Sequence, residues 1–135
     1  MATITAHGEQ PLRSEHDIVL GRQTARKLAQ EAGFSLVDQT KFVTAASELA
    51  RNALIYGGGG DLKWQALQDG GRRGVRLSFE DQGPGIPDLE RALTDGWSSG
   101  SGLGLGLTGA RRLVNEFELQ STVGVGTRVT ITRWK

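Results

Sequence analysis

The stretch from Asp81 to Gly109, DQGPGIPDLERALTDGWSSGSGLGLGLTG, constrains this chain more than any other. It places Gly83 and Gly85 around Pro84, then Gly102, Gly104 and Gly106 at alternate positions. Just before it, Val75, Leu77 and Phe79 alternate with Arg76, Ser78 and Glu80, the period of a half-buried strand. Asp81 continues the apolar parity and is expected to face the interior. A buried carboxylate without a donor is very costly, and no basic residue stands beside this one in sequence. A ligand donor such as an adenine amino group is therefore a candidate partner.

The second glycine cluster runs into a helical pattern. Leu107, Ala110, Val114 and Phe117 fall on one face, with Arg111, Arg112, Asn115 and Glu116 opposite. Glycines feeding a helix start make an anion site, because free N–H groups and the positive end of the dipole face whatever lies there. One cluster would grip a base and the other its phosphates. A lone glycine cluster is more often a flexible surface loop; two in this strand and helix context shift the balance.

Upstream, Thr3 to Ala6 reads as a short edge strand. Ser14 with Asp17 resembles a capping pair for a helix whose stripe is Ile18, Ala25, Leu28, Ala29 and Ala32, ended by Gly33. Ser35 and Asp38 open a second helix that runs to about Tyr56, with Phe42, Ala45, Ala46, Leu49 and Ala53 as its core face. The Gly57–Gly60 run supplies a left-handed stop and reads as a connector. On this helix Glu48 and Asn52 lie four apart and share a face that borders the apolar stripe. An amide oxygen suits one position of an octahedral Mg²⁺ that otherwise keeps water and phosphate oxygens. A carboxylate one turn away can take a proton from an attacking hydroxyl or water. Alone, E-x-x-x-N is usually a solvated helix face, so the pair gains weight only from the glycine clusters.

Strands follow at 61–68 and 74–81 across DGGRRG, and at 117–123 and 127–134 around Gly124–Gly126. The order is strand, two helices, two strands, a variable segment, a helix and two strands. Without a regular βαβ alternation, this points to one α+β domain over residues 1–135, a mainly antiparallel sheet with helices on one face. Lys plus Arg number 16 against 15 acidic residues, a balance that argues against nucleic acid as a partner. With no cysteine, thiolate chemistry and disulfides are excluded. No segment has the length for a membrane span or the apolar core of a signal peptide, so a cytoplasmic protein is expected. Gly104-Leu-Gly106-Leu-Thr-Gly109 matches G-x-G-x-x-G literally, but it lacks the strand before it that a dinucleotide fold needs. Neither a Walker lysine motif nor H-R-D and D-F-G occurs.

Together, Glu48 and Asn52 on a helix, Asp81, Gly83 and Gly85 after a strand, the G-x-G-x-G before a helix and the late Gly126-Thr127 resemble the GHKL, or Bergerat, ATP-binding family. That family includes histidine-kinase catalytic domains, Hsp90, gyrase B, MutL and the anti-sigma factor kinases. From about Asp17 to the C-terminus, SELARN, EDQGPGIPD, DGWSSGSGLGLGL and GVGTRVTITRW look like the RsbT-type serine/threonine switch kinases of the bacterial stressosome. The resemblance implies a two-layer Bergerat sandwich with a mainly antiparallel, mixed sheet, using ATP and Mg²⁺. It implies that Asp81 accepts from the adenine amino group, Asn52 ligates Mg²⁺ and Glu48 is the catalytic base. Gly83 and Gly85 would pass close to the nucleotide, Gly102, Gly104 and Gly106 would form the phosphate lid, and Leu107 and Thr127 would complete the ATP site. The implied partners are STAS-domain scaffolds of the RsbS and RsbR kind, as substrates, and an RsbU-like PP2C phosphatase that the released kinase activates. The alternative within the family is an anti-sigma factor kinase of the RsbW or SpoIIAB kind.

Overall fold

The computed structural model describes residues 2–93 and 103–135, with the backbone alone at residues 91 and 103–106. Among them are five strands, β1 (Thr3–Leu12), β2 (Gly60–Asp69), β3 (Arg72–Asp81), β4 (Glu116–Thr122) and β5 (Gly126–Trp134), and four helices, α1 (Glu15–Glu31), α2 (Leu36–Ile55), the single turn α3 (Leu89–Ala92) and α4 (Leu103–Arg112). The strands form one sheet in the order β1-β2-β3-β5-β4. Every described pairing is antiparallel, so among the described residues the sheet has no parallel component where a mixed one was allowed for.

Both long helices begin where side-chain caps are available. Ser14 and Ser35 accept from the N–H groups of Asp17 and Asp38, each at 3.2 Å, which satisfies one free donor per helix. α2 ends where the N–H of Gly57 bonds the Asn52 carbonyl and that of Gly59 bonds Ala53 O at 3.0 Å, with Gly58 and Gly59 at positive φ. Its apolar stripe is rich in alanine: Ala45, Ala46, Ala50 and Ala53 are all buried. Such small side chains let the helix lie close on the sheet beside Phe42 and Leu49. The sheet answers with Leu62, Val75, Leu77, Phe79, Val129 and Ile131, which join the same buried cluster. The other sheet face is polar and carries an ion chain, Lys63–Glu80 at 3.1 Å and Arg128–Glu80 at 3.6 Å. At the end away from Asp81, Arg133 ties β5 to the start of α2, donating to Asp38 Oδ1 and to Leu113 O, each at 2.7 Å.

Two element boundaries differ from expectation. β1 runs on to Leu12, well past Ala6, because it pairs with the whole of β2 from Thr3↔Gln68 to Leu12↔Gly60. Its inward positions include Gly8 and Gln10, so the apolar alternation that marks a strand is missing. Gly8 is small because the Trp64 indole lies over it, and a Cβ there would overlap that ring. The last helix ends at Arg112, and Phe117 lies in β4 opposite Ile131. Asn115 stops the helix: its N–H bonds Thr132 O at 3.0 Å and its Oδ1 accepts from the Trp134 N–H at 2.7 Å. The apolar residues from Leu107 to Phe117 satisfied a helical period and a strand period at once, and strand pairing decided the end.

Candidate nucleotide site

Antiparallel register lines up one row of residues across the full width of the sheet at the end where α2 finishes: Leu12, Gly60, Asp81, Thr127 and Ser121. Asp81 is the last residue of β3 and faces the helices, as its parity predicted. It is half-buried, and it finds donors in the backbone. The Gly83 N–H donates to Oδ1 at 2.9 Å, and the Thr127 N–H donates to the same carboxylate. Burial pushes the carboxyl pKa up from its ordinary value, and these two N–H groups pull against that rise.

The space around this carboxylate is kept by glycines. A Cβ on Gly57 would overlap the Asp81 side chain, and one on Gly83 would come 2.6 Å from Gly57 Cα. Gly57 therefore serves the site and is more than the connector its glycine run suggested. Gly85 has φ +78°, a conformation that side chains other than glycine rarely take, and the turn it makes delivers Ile86 to the hairpin between β4 and β5. There the Ile86 N–H bonds Ser121 Oγ at 2.8 Å, and the Gly124 N–H bonds Pro84 O at 2.9 Å. Ser121 Oγ also lies 2.9 Å from Thr127 Oγ1 and 3.1 Å from Gly126 O. Ser121 carried no motif signal; only its register opposite Thr127 reveals it.

Across from Asp81, α2 supplies the other wall. Asn52 lines the cleft, and its Nδ2 is buried without a hydrogen-bond partner. Side-chain amide orientation follows from the partners present, so an amide with none there is open to a ligand on either atom. Glu48, one turn earlier, is exposed and makes no hydrogen bond or ion pair to another described residue. It stands outside the cleft on the solvent side of Asn52. Its neighbour Arg51 is engaged with Glu15 at 3.6 Å, both side chains being largely exposed. Leu107 is buried in α4 and closes the cleft together with Ile86 and Val129. Gly104 lies in the first turn of α4, where N–H groups lack intrahelical acceptors, and Gly106 follows as its fourth residue. Gly102, the first glycine of the expected phosphate lid, lies outside the described residues.

The structure thus brings together Asn52, Asp81, Gly85, Leu107 and Thr127 around one cleft, with Gly83 behind Asp81 and Glu48 at the rim. The open space among these walls is about 40 Å³. A far larger recess, about 750 Å³, lies under the C-terminal half of α1 against Trp64 and Ala66. No motif residue lines it, and size alone does not choose between them. The donor set of the small cleft fits a nucleotide: an orphaned amide, a carboxylate acceptor and a helix start. Among the described residues no three His, Asp or Glu side chains gather as a metal cage.

The histidine kinase-, DNA gyrase B- and HSP90-like ATPase family profile matches residues 37–135. The chain belongs to this ATPase family. Within it, the chain is 46% identical over 123 residues to the serine/threonine-protein kinase RsbT of Bacillus subtilis (strain 168), covering 91% of this chain and 92% of that one. It is 30% identical over 97 residues to the anti-sigma F factor of Thermoanaerobacter sp. (strain X514), 67% of this chain and 66% of that one. Among solved structures, the RsbU and RsbW domains of a Mycobacterium tuberculosis protein superpose with a TM-score of 0.65 at 23% identity, over 96% of this chain and 32% of that one. The Pseudomonas aeruginosa SiaB–SiaC complex gives 0.57 at 14% identity, over 98% of this chain and 91% of the matched one. These two likenesses concern the ATPase fold, whose antiparallel sheet and one-sided helices are those described above. No helix among the described residues is long and apolar enough to cross a membrane.

Proposed function

We propose that this chain is an ATP-dependent serine/threonine protein kinase of a bacterial partner-switching module. One observation carries the reading: near-full-length identity of 46% to RsbT in a chain that keeps a carboxylate, an orphaned amide and an inward aspartate around one cleft. In this reading Asp81 accepts from the adenine amino group, and Gly83 and Gly85 let the backbone approach the base beside Thr127 and Leu107. Gly104 and Gly106 offer backbone N–H groups to the phosphates, with Gly102 preceding them in sequence. Asn52 Oδ1 would hold magnesium, which with waters and phosphate oxygens would offset phosphate charge in the cleft. Glu48 takes the proton from a serine or threonine hydroxyl as its oxygen attacks the γ-phosphorus and ADP leaves. An exposed Glu48 with no polar partner among the described residues suits a substrate delivered on another protein.

The proposed substrates are STAS-domain scaffolds of the RsbS and RsbR kind. The released kinase then binds and activates an RsbU-like PP2C phosphatase, all in the cytoplasm. A second reading, an anti-sigma factor kinase, is favoured by the 30% identity to the anti-sigma F factor. Radiolabelled ATP with purified STAS scaffold, phosphatase or sigma factor separates them. Phosphate transfer to the scaffold and stimulation of the phosphatase are expected; a stable complex with a sigma factor and no effect on the phosphatase would replace the first reading by the second. Glu48→Gln should still stimulate the phosphatase, since that needs a surface and no transfer. A domain this small offers about one standard interface of roughly 800 Å² on its side, so unphosphorylated scaffold should compete with the phosphatase. A ternary complex on sizing chromatography would refute the shared surface.

A further inference from the structure

The recess under the C-terminal half of α1 exists because β1 and β2 are short of bulk there. Ala6 stands opposite Ala66 and Gly8 opposite Trp64, whose indole lies over that glycine. About 750 Å³ is left open, the size of a small-molecule pocket. Both ends of this space carry polar groups that the fold leaves unused. At one end Gln10 faces inward and lines the recess; its Oε1 is enclosed without a hydrogen-bond partner, and its Nε2 bonds no described residue. An amide sets an acceptor beside a donor, and an enclosed amide left unpaired is costly. At the other end Lys27 and Arg73 stand exposed at the rim, neither in an ion pair with a described residue. The Arg73 guanidinium reaches only the Glu31 carbonyl, at 3.4 Å. Glu31 is the one carboxylate among the described lining residues, so the rim holds two cations to one anion. Gln10 pairs with Leu62 and Arg73 with Gln68, which are roughly 20 Å apart along β2, with Trp64 between them.

The geometry points to this recess as a second ligand site, separate from the Asp81 cleft and fitted to a purine nucleoside monophosphate. The base meets the Gln10 amide with its edge and Trp64 with its ring, and the phosphate lies between Lys27 and Arg73. A purine edge sets a donor beside an acceptor, and a glutamine amide can engage both at once. Turning the amide over serves adenine or guanine alike. A lone ring would leave the distant cations unmatched, a bare phosphate would leave Gln10 unpaired, and a sugar joins the two ends. Glu31 weighs against a longer phosphate chain, because every added charge meets its carboxylate. The recess shares no lining residue with the Asp81 cleft, so the two sites can be altered one at a time.

The test is calorimetry of the full chain with guanosine monophosphate as the probe, on wild type, Gln10→Leu, Lys27→Ala and Asp81→Asn. Wild type should bind it saturably with one-to-one stoichiometry. Gln10→Leu and Lys27→Ala should each weaken binding by about tenfold, the worth of one hydrogen bond, while Asp81→Asn should keep the wild-type affinity. Absence of saturation at millimolar probe overturns the proposal. So does a loss in Asp81→Asn with both recess variants at wild-type affinity, which would put the nucleotide in the other cleft. Inorganic phosphate is the control for the rim alone: if it displaces the probe at equal concentration, the base is not recognised and the proposal fails. Should Gln10→Leu not fold, Trp64 emission decides, in a chain with Trp97 and Trp134 replaced by Phe. Quenching by the probe, lost in Lys27→Ala, supports a base against the indole; emission that stays level as the probe binds overturns it.

Discussion

Asp81 lines the cleft and Glu48 stands outside it, one turn before Asn52, and the two carboxylates are held in opposite ways. Asp81 is half-buried at a strand end, receives two backbone N–H groups and has glycines cleared away around it. Glu48 is exposed on α2 and touches no other described polar group. The Asp81 corner is built before any ligand arrives, because β3, β5 and the loop to Ile86 converge there. On the proposed reading, the Glu48 face is unfinished until another molecule supplies the hydroxyl. In a kinase whose substrate is a protein, this division keeps nucleotide recognition inside the fold and leaves phosphate transfer waiting for the partner.

The largest expected effect breaks the comparison at Glu48. Glu48→Gln should keep ATP affinity within a few-fold while lowering phosphate transfer to the scaffold by roughly 10²-fold or more, as for loss of a general base. Single-turnover transfer near the wild-type rate would take Glu48 out of the chemistry. An exposed side chain with no polar partner among the described residues leaves no gap there when its charge is removed, so the variant should unfold at the wild-type temperature.

Much of this contrast was legible in the sequence. Alternation along Val75, Leu77 and Phe79 placed Asp81 on the inner face, and the serine caps placed the start of both long helices. These are local rules acting over a few residues. What escaped is non-local. Gly57 sits in a glycine run that looks like a linker, and its reason is the Asp81 side chain that crosses it from another strand. Ser121 is one of several hydroxyl residues on an edge strand, and only pairing with Thr127 and the approach of Ile86 give it a role. The length of β1 was hidden because an edge strand facing Trp64 needs glycine where an apolar residue would have announced it.

The next effect sharpens the other side. Asp81→Asn keeps the shape of the corner but replaces a charged acceptor by an amide that also carries donors. Loss of a charge-assisted hydrogen bond costs about 1.5–3 kcal/mol, so ATP should bind roughly ten- to a hundred-fold more weakly. The transfer rate at saturating ATP should fall far less, which separates this variant from Glu48→Gln. Calorimetry showing wild-type affinity in a folded protein would make Asp81 a purely structural residue.

The smallest effect is one of pH, and it follows from how Asp81 is held. Burial raises its pKa above the ordinary 3.8, against the pull of the Gly83 and Thr127 N–H groups. Between 3.8 and the raised value the folded chain binds more protons at this site than the unfolded chain does. Stability of the ligand-free protein attributable to Asp81 therefore falls as pH rises through that window. ATP binding runs the other way, because only the ionised carboxylate accepts without donating back, so affinity falls as pH drops through the same window. Wild type should lose ATP affinity on acidification at a higher pH than an ordinary aspartate would allow, while its urea midpoint carries a small opposite slope. Asp81→Asn should remove both trends together. An ATP affinity in wild type that stays level down to pH 3.8 would mean that the carboxylate does not meet the base.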